Sequence, residues 1–154
     1  MAAKRYHKNR INDRDKKTVI KAMLIMEKRK IIENYDFINC KVNDKELVCI
    51  GKVKPTPNST EYTFKIVYNL TTPKVYILNP IIEFNNDIHM YPQDNSLCLY
   101  HPKIDKIPIW NFKEHRLYDT IIPWTVEWFT YYELYLITGK WEHPEVKHTT
   151  SEKN

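Results

Sequence analysis

The sequence predicts an α+β fold in which a helix, an antiparallel meander, a long irregular segment and a second helix follow one another along the chain. Hydrophobic residues recur at helical spacing near both ends and alternate in the middle. The alternating segments are rich in Val, Ile, Tyr and Thr and are separated by turn signals. A proline-bearing stretch then separates the meander from the last helix.

The first helix is predicted over residues 12–34, with Asn12 or Asp13 as its N-cap. Its apolar face is expected to hold residues spaced i, i+3, i+4 and i+7, namely Val19, Ala22, Met23 and Met26. Lysines lie between them. This spacing is typical of a helix that packs on one side against a core.

Extended segments are predicted over residues 36–42, 46–53, 62–68 and 74–78. Asn-Asp, Pro-Thr-Pro-Asn-Ser and Thr-Thr-Pro sequences separate them, which favours hairpin connections and an antiparallel sheet. Periodicity fades over residues 79–118. A long irregular segment within a compact domain is uncommon unless it has a function, so a functional site is expected there.

The last helix is predicted to begin after Asp119 or Thr120 as its cap and to end at Gly139. An aromatic row at helical spacing lies within it, formed by Trp124, Trp128, Tyr132 and Tyr135. We expect this row to pack on the sheet as core rather than to bind a cofactor.

The chain has 154 residues, which fits one domain, predicted over residues 12–148. A basic tail over 1–11 and a disordered tail over 149–154 are expected to flank it. No apolar run is long enough to span a bilayer and no secretory signal is apparent, so we expect a cytoplasmic protein with no membrane partner. Only two glycines occur, which excludes glycine-rich nucleotide-binding loops, and no cofactor is expected.

The formal net charge is +5, and much of the excess lies in the first thirty residues. Such a basic region would favour an acidic protein, nucleic acid or an anionic surface. The alternative is an ordinary solvated helix face, because charge alone indicates neither fold nor specificity.

Three widely spaced cysteines do not indicate a disulfide scaffold, and Cys40 and Cys49 lie in strand patterns where we expect them to be inert. Cys98 follows a predicted turn over residues 92–95 and lies near His89 and His101 in sequence. Imidazolium and backbone donors raise the thiolate fraction, and the thiolate is the nucleophile. Cys98 is therefore the candidate nucleophile; the alternative is a small buried hydrophobe.

Each of the other polar residues of this segment has two possible roles. His89 and His101 could hold the thiol proton or could be structural hydrogen-bonding residues. Asp94 and Asp119 could position an incoming amine, although a turn and a helix cap are the favoured roles. A metal centre is not expected, because His89, Cys98 and His101 lack a fourth ligand.

This order of elements and several motifs resemble the ubiquitin-conjugating enzymes. Pro73-Lys74-Val75 resembles that family's third-strand motif, His89 the start of its His-Pro-Asn tripeptide, and Cys98-Leu99 its catalytic Cys-Leu. The likeness is closer to bacterial standalone members of CBASS antiphage operons. The motifs that carry it are Tyr91 to Pro102, Trp110, and Thr120 to Trp128.

The resemblance implies a ubiquitin-conjugating-enzyme-like fold and a transferase that carries an acyl group as a thioester on Cys98. The implied donor is a protein partner with a C-terminal glycine, and the implied target of regulation is a cGAS-like nucleotidyltransferase. In place of the tripeptide's asparagine this chain has His89-Met90-Tyr91. Backbone N–H groups, Asn95, Tyr91 or His101 could stabilise the oxyanion instead. Whether a separate activating enzyme takes part stays open.

Two other functions remain open from the sequence. A noncatalytic adaptor with the same fold could bind the nucleotidyltransferase, as the missing asparagine suggests. Nucleic-acid binding through the first helix has only the charge as support, and because no recognised motif accompanies it, no specific nucleic acid is expected.

Overall fold

The computed structural model describes residues 12–99 and 110–142. Its elements in chain order are α1 (Asp13–Asn34), β1 (Ile38–Val42), β2 (Leu47–Val53), β3 (Tyr62–Tyr68), β4 (Lys74–Asn79) and α2 (Ile121–Thr138). The strands form one antiparallel sheet in the order β1-β2-β3-β4. The predicted α+β class and the predicted meander are confirmed. The predictions for residues 1–11, 100–109 and 143–154, which include the end of the predicted domain, fall outside the described residues.

Helix α1 begins where the sequence predicts, but it buries a different face. The Asn12 side chain accepts a hydrogen bond from the Asp15 amide at 2.8 Å and caps the helix. Val19 and Met26, predicted to face the core, are 51% and 64% exposed. Leu24 and Ile31 are fully buried instead. A second stripe of branched apolar residues therefore packs against β1, and the prediction for the apolar face, Val19, Ala22, Met23 and Met26, was wrong.

A buried carboxylate on this stripe explains why the hydrophobic pattern of α1 predicted the wrong buried face. Glu27 lies between Leu24 and Ile31 on the buried face and is only 5% exposed. Its Oε2 accepts a hydrogen bond from the Leu117 amide at 3.1 Å, and Arg116 Nε lies 3.8 Å from Oε1. Burial raises the pKa of the Glu27 carboxyl, while the Leu117 amide and Arg116 act in the opposite direction. Glu27 thus ties α1 to the segment that precedes α2.

The sheet presents one face to the core, and α2 covers it. Strand β3 alternates strictly, with Tyr62 and Phe64 among its buried residues. The Phe129 ring of α2 stacks on Tyr62 at 4.6 Å and lies 6.1 Å from Phe64. On β2, a side chain at Gly51 would collide with the Phe64 ring, so only glycine fits at this point.

Strands β1 and β2 are joined by a disulfide between Cys40 and Cys49. The Asn43 amide donates to the Glu46 carbonyl at 3.0 Å and closes the hairpin, which places Cys40 directly opposite Cys49. Hydrogen-bonded and non-hydrogen-bonded pairs alternate from that turn, so the two cysteines occupy a non-hydrogen-bonded pair, where side chains approach most closely. The expectation of no disulfide was wrong for this pair, because pairing depends on the strand register and not on the spacing in sequence.

Helix α2 begins and ends as predicted, although its N-cap residue makes no capping hydrogen bond. Gly139 adopts a left-handed φ of 73°, and its amide donates to the Tyr135 carbonyl at 2.8 Å. Thr120 occupies the N-cap position, but its side chain makes no capping bond and donates to the Arg116 carbonyl instead. Asp119 is exposed one residue earlier. Of the helices in the described ranges, none is long and apolar enough to cross a membrane.

Candidate active site

Cys98 lies at the end of a short hairpin that follows the sheet. Met90 and Leu97 form an antiparallel bridge, and the Cys98 amide donates to the His89 carbonyl at 3.0 Å. The Leu97 amide also donates to the carbonyl of Val75 in β4 at 2.8 Å. The backbone around the cysteine is therefore fixed from two sides, by its own hairpin and by the edge of the sheet.

The hairpin turns at the residues that the sequence predicts. Asn95 has a left-handed φ of 57°, and its amide donates to the Tyr91 carbonyl at 2.9 Å. The Tyr91 amide donates in turn to the carbonyl of Ser96 at 2.8 Å. This confirms the turn over residues 92–95 and gives Asn95 a backbone role there. A role of its side chain at the oxyanion stays a prediction.

Asp94 holds the turn through its carboxylate. Its Oδ1 accepts from the amide and the hydroxyl of Ser96 at 2.9 and 2.6 Å, and its Oδ2 accepts from Lys74 Nζ at 2.8 Å. The hydrogen bond from Lys74, helped by those from Ser96, lowers the pKa of Asp94 to about 2. A carboxylate of that pKa is a weak proton acceptor near neutral pH, which favours the structural role of Asp94.

Cys98 itself is partly exposed and lies outside the disulfide. Its neighbour Leu97 is 4% exposed and belongs to the core, whereas Cys98 keeps part of its surface accessible. The structure therefore does not show the small, fully buried hydrophobe that the sequence left as an alternative.

His89 is held at both its backbone and its ring. Its carbonyl oxygen accepts a hydrogen bond from Trp128 Nε1 at 2.8 Å in addition to the one from Cys98. Its imidazole stacks on Trp141, with ring centroids 5.2 Å apart and planes inclined by 13°. The two residues predicted to act together, His89 and Cys98, are thus brought together by the backbone, whereas His101 lies outside the described residues.

The aromatic row of α2 is the part of the site that sequence reasoning assigned only to packing. Trp128 is 3% exposed, stacks on Tyr132 at 5.3 Å and lies in the core, as predicted. Trp124, Tyr132 and Tyr135 are half-buried against that core. The sequence did not predict that the Trp128 indole reaches the His89 carbonyl, because spacing alone gives no distance between segments far apart in the chain.

The family model described as Type II CBASS E2 protein matches residues 27–149. This chain belongs to that family. No curated protein matches it. The α+β arrangement of this CBASS E2 protein agrees with the ubiquitin-conjugating-enzyme-like fold, and its family is one of conjugating-enzyme-type proteins of CBASS defence.

In this CBASS E2 protein the position of the missing asparagine can now be located. Met90, the residue after His89, is 6% exposed and belongs to the core. Tyr91, the next residue, is 40% exposed. A core methionine therefore occupies the second position of the tripeptide and a surface tyrosine the third, where the conjugating enzymes carry the asparagine.

A metal site was considered for residues 12–99 and 110–142 of this CBASS E2 protein. No cluster of three or more histidine, cysteine, aspartate or glutamate residues that could hold a metal ion occurs in them. His89 and Cys98, the described members of the candidate set, meet through the backbone contact already given.

Proposed function

We propose that Cys98 accepts the C-terminal acyl group of a protein partner as a thioester. The partner would be a cGAS-like nucleotidyltransferase ending in glycine, and the modification would regulate it in antiphage defence. The observation that carries this proposal is a partly exposed thiol, outside the disulfide, on a rigid hairpin in a CBASS E2 protein.

The first step is an exchange between acyl sulfurs. The Cys98 thiolate attacks the acyl carbon of a donor thioester, a new carbon–sulfur bond forms, and the bond to the donor sulfur breaks. The donor leaves as a thiolate and takes up a proton. Because one thioester replaces another, the step depends more on geometry than on driving force, and the fixed Cys98 backbone supports that requirement.

Proton handling and oxyanion stabilisation belong to the same proposal. His89 lies beside Cys98 through the backbone and is a candidate for holding the thiol proton. His101 is a second candidate for holding the thiol proton. For the oxyanion we propose a backbone N–H group, the Asn95 side chain, Tyr91 or His101, since Tyr91 takes the place of the asparagine.

In the second step an amine attacks the thioester carbonyl. A carbon–nitrogen bond forms, the Cys98 thiolate leaves, and the nitrogen gives up a proton to solvent or to a histidine. The pKa of about 2 at Asp94 makes that carboxylate a poor acceptor for this proton. The amine is therefore expected to be deprotonated elsewhere.

The test is to incubate the protein with its operon's nucleotidyltransferase and any activating enzyme and to resolve the products on non-reducing gels. We expect an adduct that thiol reagents reverse. Cys98→Ala should abolish it, and Cys98→Ser should give an ester that resists thiol reagents. Asn111→Ala, remote from Cys98 in sequence and not part of its hairpin, serves as the control. An adduct that persists in Cys98→Ala would contradict the proposal.

A second candidate function is favoured by one observation. Met90 and Tyr91 follow His89, so this chain lacks the asparagine used in lysine ligation by ubiquitin-conjugating enzymes. A noncatalytic adaptor would keep the fold and bind the nucleotidyltransferase without a thioester. Full phage protection by cells that carry Cys98→Ala would support the adaptor, and loss of protection at normal protein level would exclude it.

A further inference from the structure

We propose that Trp128 is a positioning residue for Cys98, an inference that rests on the proposed thioester function. The Trp128 indole N–H and the Cys98 amide donate to the same carbonyl oxygen, that of His89, at 2.8 and 3.0 Å. A carbonyl oxygen has two lone pairs and can accept both bonds. The helix α2 is thereby connected to the cysteine through one oxygen atom.

The rigidity of Trp128 makes this connection effective. The side chain is 3% exposed, stacks on Tyr132 and lies edge-on to Phe129 at 5.6 Å. Its ring is therefore held by the core of α2, and its N–H points to a fixed place. The position of the His89 carbonyl is therefore set by the core as well as by the hairpin. The Cys98 amide, which donates to that carbonyl, is positioned in the same way.

Trp141 restrains the imidazole ring of His89, at the opposite end of the residue from its carbonyl. Its ring stacks on the imidazole at 5.2 Å and also lies 5.3 Å from the Trp128 ring. Within the described part of the chain, the Trp141 indole nitrogen is shielded from solvent and has no hydrogen-bond partner. Trp141 thus acts by stacking, whereas Trp128 acts by a hydrogen bond, and the two contributions can be separated by mutation.

Acyl transfer is sensitive to such positioning. A small displacement of the attacking sulfur from its line of approach slows a reaction strongly, even when binding is unchanged. Loss of the Trp128 bond frees the His89 carbonyl to shift, and the Cys98 amide shifts with it. We therefore expect an effect on the transfer rate at saturating donor and little effect on KM.

The experiment compares three conservative variants. Trp128→Phe removes the N–H that bonds to His89 and keeps an aromatic ring. Trp141→Phe removes an N–H from the same cluster that has no partner in the described structure. Trp110→Phe removes another indole hydrogen bond of the core, the one that Trp110 Nε1 donates to the Tyr68 hydroxyl at 3.1 Å.

Two measurements are made on each variant: hydrogen exchange at the Cys98 amide and the kcat of acyl transfer. In Trp128→Phe we expect exchange about tenfold faster and transfer about tenfold slower, the size of effect given by one neutral hydrogen bond. Trp110→Phe should stay within about twofold of the wild type in both, since the bond it removes does not involve the shared oxygen. Trp141→Phe keeps an aromatic ring against His89 and removes no hydrogen bond, so its effect on both should be smaller than that of Trp128→Phe. Trp110→Phe also corrects for a general loss of stability.

The outcomes separate this proposal from the proposed function. If the wild type forms no thioester, the proposed function fails, and exchange at Cys98 alone then decides whether Trp128 positions it. Exchange or transfer in Trp128→Phe that matches Trp110→Phe overturns the positioning role. If Trp128→Phe does not fold, a benzothienylalanine at position 128 keeps the shape of the indole without its N–H and gives the same two readouts.

Discussion

At the scale of single residues, the charged groups near Cys98 stabilise the hairpin. Lys74 forms an ion pair with Asp94 and lies 5.7 Å above the Tyr91 ring. The lysine thus contacts both sides of the turn that precedes the cysteine. The hydrogen bond to Asp94 raises the pKa of Lys74, and the same bond lowers that of Asp94 to about 2. The pair remains charged throughout the neutral range.

Lys74→Met should bring the pKa of Asp94 up from about 2 toward its ordinary value of 3.8, as followed by NMR of the carboxyl carbon. A lowered pKa stabilises the folded protein above pH 3.8 and loses that effect as the pH falls to about 2. The wild type and Lys74→Met should therefore differ in stability above pH 3.8 and converge in acid. Lys65→Met, which removes a lysine over the Tyr76 ring instead, is the control. An Asp94 titration unaffected by Lys74→Met would contradict the assignment.

At the scale of secondary structure, the elements could be predicted from the sequence and their buried faces only in part. Alternation in β3 and the turn at Asn95 are local properties, and both predictions hold. The buried face of α1 could not be predicted, because Glu27 is stabilised by groups from residues 116 and 117. The hydrogen bond from the Trp128 indole to the His89 carbonyl depends on the angle at which α2 packs on the sheet. Residue spacing in the sequence does not give that angle.

The β1–β2 hairpin allows a direct test of its disulfide. Reduction of the Cys40–Cys49 bond, which closes a loop with a sequence separation of 9, should lower the free energy of unfolding by about 2–3 kcal/mol, as chain entropy predicts. Urea unfolding with and without a phosphine reductant measures this difference. Cys98→Ala should show the same difference, whereas Cys49→Ala should show none. A wild type insensitive to reductant would contradict the structure at this pair.

At the scale of the whole molecule, positive charge is spread over α1, and part of it is already engaged. Lys21 pairs with Asp44 at 3.1 Å, and Lys30 lies 5.9 Å above the Tyr118 ring. Exposed apolar residues such as Val19 and Met26 interrupt the basic ones. Within residues 12–99 and 110–142, this mixed surface is unlike the continuous basic groove expected of a nucleic-acid-binding protein.

Binding of DNA or RNA should therefore be weak and confined to low salt. Fluorescence anisotropy across a series of KCl concentrations should show binding that disappears near about 0.15 M, because only screened surface charge contributes. A charge-reversed control, Lys16→Glu with Lys17→Glu on the exposed first turns of α1, should abolish the residual binding. Tight binding that survives at 0.15 M would support the nucleic-acid alternative instead.

The disulfide between the first two cysteines has a practical consequence. The chain contains three cysteines, so oxidised protein carries a single titratable sulfhydryl, on Cys98. A maleimide dye or spin label would attach at one place without any background mutagenesis. The protein can therefore take a site-specific probe without mutation, and the stoichiometry of labelling reports directly on how much of Cys98 is accessible as a thiol.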